Sequence, residues 1–212
     1  MTRIPLEERR RALISAAVRV VSREGVAAAT TRAIVLEAGM PLGAFHYVFD
    51  SRDELLAAVI DAVTEEERLA AEAVLGRDTT RPPQLNDVLS AGLDRYIDLL
   101  VADPTREQAL FELSLYSLRN EALAGMAPRQ YEIYYRSVRR SLELAASACR
   151  HRWDTPVDRV AHHLVVALDG VTTTWLADRN TAAARDTALF VADSVARLAR
   201  SIDLTSQGTH AD

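Results

Sequence analysis

The stretch GVAAATTRAIVLEAGMPLGAFHYVFDSRDELL, Gly25 to Leu56, decides the fold. It predicts two short helices in tandem, one from about Thr31 to Ala38 and one from about Leu42 to Val48, separated by Gly39-Met40-Pro41. Thr30 is placed to cap the first, its hydroxyl accepting from the amide of Arg32 or Ala33. Ile34 and Ala38 lie four apart and therefore share an inward face. Gly39 follows the last periodic residue, where the chain needs a left-handed conformation. Pro41 suits the first turn of the next helix, because its missing N–H would have no intrahelical partner there. Phe45 and Phe49 anchor that helix inward and leave Leu42, Gly43, Ala44, His46, Tyr47 and Val48 outward. Two short helices joined by such a connector form a helix-turn-helix. In that motif the second helix enters the DNA major groove while the first crosses the backbone.

Gly43 breaks the local pattern, since glycine inside a helix costs about 1 kcal/mol relative to alanine. It either occupies a weak first turn, or joins Ala44 in letting the backbone approach base edges closely. Tyr47 and Arg52 beside it favour the second reading.

Residues 10–56 resemble the N-terminal domain of the TetR family of transcriptional regulators. The likeness rests on an amphipathic helix ending at Gly25, then Thr30, Arg32, Ile34, Ala38-Gly39, Gly43-Ala44-Phe45, Phe49, Ser51-Arg52 and Glu54-Leu55. It implies that Thr31, Arg32, His46, Tyr47 and Arg52 touch DNA phosphates and that Leu42, Gly43, Ala44 and Tyr47 meet bases or sugars. Thr30 and Pro41 complete the expected DNA-binding set. Four positions depart from the usual family pattern: Val35, Pro41, Leu42 and His46. Leu42 matters most, because it can offer a base only an apolar contact, such as one to a thymine methyl.

Composition is that of an ordinary globular protein, 212 residues with 49% hydrophobic and 26% charged. All 25 basic residues are arginine, and the net charge is −5. Residues 1–56 hold eight arginines against seven acids, whereas the remainder holds 17 against 23. A nearly neutral DNA-binding segment must gather its arginines on one face. Arg3, Arg32 and Arg52 are candidates. Arg9, Arg10 and Arg11 serve equally well as DNA contacts or as a solvated face paired with Glu7 and Glu8. The single cysteine, Cys149, excludes an internal disulfide and reads as a small buried apolar residue in a reducing cytoplasm. No signal peptide or transmembrane run is legible.

Helical periodicity continues through the chain, giving an all-α fold of about nine helices. The expected helices are Leu6 to about Glu24, the two above, Asp53 to about Leu75, Leu85 to Ala102, Thr105 to Leu118, Glu121 to His151 with a break near Pro128, Thr155 to Ala177, and Ala182 to Ile202. No strand is expected. The expected organisation is a three-helix DNA-binding domain over 1–56, a larger helical effector-binding and dimerisation domain over 57–204, and a flexible tail over 205–212. A fourth helix from about residue 53 bridges the domains, and Gly76 to Pro83 is the clearest break.

The last two helices are apolar on more than one face, which calls for burial from more than one side. They either pack twice within one chain or pair with their copies as a four-helix bundle. The homodimer is favoured because it lets two short recognition helices read half-sites about 34–36 Å apart. Its expected interface is Val165, Val166, Gly170, Thr172, Leu176, Leu189, Ala192, Val195, Ala196 and Ala199.

The segment Ala109 to Leu118 is apolar nearly all round and should be central, with Glu112 as its only charge. Glu112 could line an effector cavity walled by Tyr96, Phe111, Tyr116, Tyr131, Tyr135, His162 and Trp175. Residue by residue the favoured reading is that it meets an arginine such as Arg95 or Arg119, leaving the aromatics as core. That an effector pocket exists follows from the family resemblance. No metal set is expected, since His162-His163 lacks completing ligands, and no cofactor is implied. A helical enzyme finds no support in a nucleophile–base pair or phosphate loop. A protein-interaction module with a vestigial motif has Leu42 as its best argument. The function expected is therefore a cytoplasmic, ligand-responsive regulator that binds a palindromic operator as a dimer, represses, and is released by a small molecule.

Overall fold

The computed structural model describes residues 5–72, 83–119, 121 and 125–202. The described helices are α1 (Leu6–Glu24), α2 (Thr31–Glu37), α3 (Leu42–His46), α4 (Arg52–Glu72), α5 (Leu85–Ala102), α6 (Pro104–Leu118), α7 (Met126–Ala148), α8 (Val157–Asp178) and α9 (Thr181–Ala196). A 3-10 turn, Val26–Ala28, follows α1. The tail expected over 205–212, Arg3 and all of the break over Gly76 to Pro83 except Pro83 itself lie outside the described residues. The chain packs as two compact units, residues 1–67 with 99–134, and residues 68–98 with 135–212.

The first unit is built on the helix-turn-helix. Leu13, Ala17, Val20 and Val21 of α1 join Ile34, Phe45, Phe49, Leu55, Leu56 and Val59 in one buried cluster, which Leu110 and Leu113 of α6 complete. Local chemistry sets the element ends. Thr30 caps α2, its Oγ1 accepting from the Ala33 amide at 3.2 Å. Ser51 and Glu54 act reciprocally at the start of α4: Ser51 Oγ accepts from the Glu54 amide at 3.1 Å, and Glu54 Oε2 from the Asp50 amide at 2.7 Å. Gly25 and Gly39 hold φ of 82° and 65°. Nothing lies within 4 Å of where a Gly39 Cβ would sit, so its requirement is conformational alone. Gly39→Ala should therefore cost about 1 kcal/mol, the left-handed penalty of an L-residue; an unchanged thermal melt would show that the turn adapts.

In the second unit, α8 packs along α9. Arg185 of α9 reaches two acids of α5, Asp94 at 2.7 Å and Asp98 at 2.6 Å. Asn180 caps α9 through the Ala183 amide at 3.1 Å. Cys149 is buried, which pushes its thiol up and fits a small apolar role.

Three expectations about elements are corrected. The long seventh helix begins at Met126, so Pro128 falls in its first turn, where a missing N–H removes no helical hydrogen bond. Among the described residues there are two strands, β1 (His151–Trp153) and β2 (Ala199–Ser201), paired antiparallel with His151 opposite Ser201. They take the place of the expected ends of the seventh and the ninth helix, and Arg150, with a left-handed φ of 54°, ends the helical run of the seventh. The sixth helix is not buried all round, since Leu115 and Leu118 are exposed. Its buried acid is Glu107 rather than Glu112, which is half-buried.

The expected dimer set divides by burial. Val165, Thr172, Ala192 and Val195 lie inside the chain, with Thr172 at 0% exposure, and are unavailable to a partner. The hydroxyl of Thr172 is joined to that of Tyr96 at 2.6 Å. Ala199 stands on β2 rather than on a helical stripe. Val166, Gly170 and Leu189 are exposed, and Leu176 and Ala196 are half-buried. Phe190, absent from that set, is 70% exposed.

Candidate nucleic-acid interface

Helix α3 has only five residues, too few for independent stability. It holds because Ala44 and Phe45 are buried beneath it and Phe49 follows, the two phenyl rings 5.8 Å apart. Pro41 is its N-cap, in extended conformation, rather than its first helical residue. Its carbonyl accepts the Ala44 amide at 2.8 Å. The outward side carries Pro41, Leu42, Gly43, His46 and Tyr47, all exposed. Ala44 was expected among them and is instead 7% exposed. In so short a helix the inward face takes both residues that follow Gly43, which removes Ala44 from base contact.

Thr30 and Arg32 are exposed at the start of α2, and Thr31 is half-buried. The other end of α2 is tied to α1 through Glu37, which accepts from Arg19 at 2.6 Å and from Arg23 at 3.1 Å. These bonds hold the Glu37 carboxyl below its ordinary value, Arg19 contributing most. Gly43 has nothing within 4 Å of its absent Cβ and no positive φ, so neither packing nor backbone conformation demands glycine there.

Two arginines whose role the sequence leaves open are placed by aromatic faces. The Arg9 guanidinium lies 5.2 Å over the Tyr47 ring, and that of Arg10 lies 5.0 Å over Phe49. Arg9 thus brings a cation from α1 to the edge of the recognition helix. No spacing rule announces such a contact, because α1 and α3 are apart in sequence. Arg52, an expected phosphate contact, is half-buried and donates to two backbone carbonyls. Nε reaches Ala29 O at 2.7 Å, and Nη2 reaches Val26 O.

The expected effector residues fall in both units. Phe111, Glu112 and Tyr116 are half-buried on α6 and Tyr131 half-buried on α7, within the first. Glu112 Oε1 lies 3.3 Å from where a Gly25 Cβ would sit. Arg95, offered as a partner for Glu112, pairs with Asp98 at 3.7 Å. Tyr96, Tyr135, His162 and Trp175 belong to the second unit. Tyr135 and His162 stack with ring centroids 5.1 Å apart, and His162 is exposed. Trp175 is buried, its Nε1 donating to Thr181 Oγ1 at 3.0 Å and its ring covered by Arg179. Its indole N–H is thereby used within the turn between α8 and α9. Sequence reasoning missed Gln130, a buried amide bonded to Ser114, the Leu110 carbonyl and Tyr134. Its position on an otherwise amphipathic helix gives no advance sign. Among the described residues no three His, Cys, Asp or Glu side chains gather as a metal site would need. No described helix is long and apolar enough to cross a membrane.

A capped helix, a glycine turn and a short exposed second helix on a shared core define a helix-turn-helix DNA-binding protein. The profile of bacterial regulatory proteins, tetR family, matches residues 13–59. The HTH-type nicotine-responsive transcriptional repressor HdnoR of Paenarthrobacter nicotinovorans is 30% identical over 83% of this chain and 88% of its own length. The chain belongs to the TetR family of transcriptional regulators. Its fold is also that of a transcriptional regulator of Pseudomonas aeruginosa PAO1, with TM-score 0.70, 22% identity and coverage of 92% and 94% of the two chains. SmeT of Stenotrophomonas maltophilia, in its triclosan complex, matches with TM-score 0.65 and 19% identity over 95% and 96%.

Proposed function

We propose that this regulator is a repressor that binds a palindromic operator as a homodimer and is released by a small organic effector. The observation that carries the DNA half is the exposed tip of α3, where Leu42, Gly43, His46 and Tyr47 face outward uncovered by their own unit. The effector half is supported by HdnoR being nicotine-responsive and by SmeT binding triclosan. Functionally, residues 1–56 serve as the DNA-binding domain and 57–204 as the effector and dimerisation domain, acting in the cytoplasm. Phe111, Glu112, Tyr116 and Tyr131 stay as wall candidates for the effector. The homodimer is supported by apolar side chains left exposed on α8 and α9, namely Val166, Leu189 and Phe190. Exposed Gly170, with nothing within 4 Å of its absent Cβ, leaves room for a second helix to come close. An effector that favours one spacing of the two DNA heads would shift the dimer away from the operator-competent state.

Selection from random duplexes tests the reading. A palindrome should be enriched; recovery of none would overturn it and favour a protein-interaction role. On the selected duplex, Arg32→Ala should weaken binding uniformly across sequences and lower the salt slope by about one. Tyr47→Ala should weaken binding and relax preference at the bases nearest α3. Neither change moving a gel shift would mean that a different surface meets DNA.

A further inference from the structure

We propose that Arg52 is a positioning residue, which sets the pose of the recognition helix by clamping the turn that leads into α2 and does not neutralise a DNA phosphate. The inference deepens the DNA-binding reading and rests on it. Three observations carry it.

The first is the state of the turn. Between α1 and α2 the chain runs through Val26–Ala28 and Ala29 into the Thr30 cap. Ala29 has 0% exposure, so its carbonyl needs a donor from within the protein. Among the described hydrogen bonds that donor is Arg52 Nε, at 2.7 Å. The Val26 carbonyl accepts the Ala29 amide at 3.1 Å, and Arg52 Nη2 is its second donor.

The second is geometry. Two N–H groups of one planar fork bind two carbonyls of one turn, a recognition that arginine makes and lysine cannot duplicate. A guanidinium engaged edge-on in this way has turned its Nε and one Nη away from any phosphate.

The third is placement. Arg52 is the first residue of α4, where the helix dipole disfavours a cation. The two carbonyls offset that penalty. Because the same turn ends in Thr30, whose hydroxyl caps α2, the clamp fixes where α2 starts. Through Gly39 it also fixes where α3 points. Arg52 closes residues 26 to 52, α3 among them, into a ring.

The test compares Arg52→Ala and Arg52→Lys with the unaltered protein, using Arg32→Ala as the reference for a phosphate contact. Amide hydrogen exchange around Ala29 to Ile34 is followed without DNA, and affinity for the selected duplex is measured across a range of salt. The clamp predicts faster exchange in both Arg52 variants. It also predicts affinity about tenfold lower in both, with the salt slope unchanged. Lysine should resemble alanine, because it keeps the charge and loses the fork. The proposal is overturned if Arg52→Lys binds as the unaltered protein does while Arg52→Ala lowers the slope by about one with exchange unaltered. Should Arg52→Ala fail to fold, the lysine variant still decides. If no duplex is selected, the DNA-binding reading fails, and unaltered exchange would separately dispose of the clamp.

Discussion

Phe45→Ala is expected to destabilise the first unit by about 3–5 kcal/mol and to abolish operator binding. Phe45 has 1% exposure and is the large buried side chain of a helix of five residues. Truncating it removes an aromatic ring from a cluster shared with α1, α4 and α6, and leaves a cavity against Phe49. A longer helix could lose one anchor and keep its seat. In α3 the remaining buried side chain is Ala44, which has no apolar reach. The recognition surface should therefore be lost before the rest of the protein unfolds. A thermal melt with a displaced or split transition, together with a missing gel shift, is the expected pair of results. Phe45→Leu refills most of the volume and should cost less than about 1.5 kcal/mol. Operator affinity unchanged in Phe45→Ala would mean that α3 is not what reads DNA.

How much of this was legible beforehand depended on how local the determining interaction was. The bounds of α1 and α5 could be read because punctuation flanks them: Gly25 after the one and Asp103-Pro104 after the other. The Thr30 cap and the left-handed Gly39 are likewise decided within a few residues. The strands were not legible. Their pairing joins His151–Trp153 to Ala199–Ser201 across about the whole of α8 and α9, and neither segment is long enough to show alternation. Ala44 was misplaced because a helix of little more than one turn has no period from which to read its phase. The interface residues failed differently. Apolar periodicity said that α8 and α9 were covered on several sides. It could not say that Val165, Thr172, Ala192 and Val195 are covered by their own chain and Val166 and Leu189 are not. Arg52 shows the same limit for a long polar side chain. Its charge suggests a phosphate, while its actual partners, the carbonyls of Val26 and Ala29, are backbone groups that no residue identity marks.

Phe190→Glu should convert the proposed dimer to a monomer and lower operator affinity about a hundredfold or more, while leaving the fold intact. Phe190 is 70% exposed on α9, beside Leu189 at 54%, and Val166 of α8 is 55% exposed. One exposed apolar side chain is ordinary, but several on two helices that pack together are what a covering partner would bury. In a two-fold interface each residue is used twice, so one buried carboxylate in each copy places two unpaired charges in an apolar seam. The interior side of α9, formed by Ala184, Ala188, Ala192 and Val195, is untouched, which is why the monomer should still fold. The loss of affinity follows from linkage rather than from contact. Two heads on one dimer bind a palindrome with an effective concentration that a lone head lacks, an advantage of about 10²–10⁴. Light scattering at micromolar concentration, beside circular dichroism and a titration on the selected duplex, separates the outcomes. Helical signal retained, mass halved and affinity lost would place the interface on these helices. A full-mass species with undiminished affinity would move it elsewhere, and Phe190 would need another explanation for its exposure.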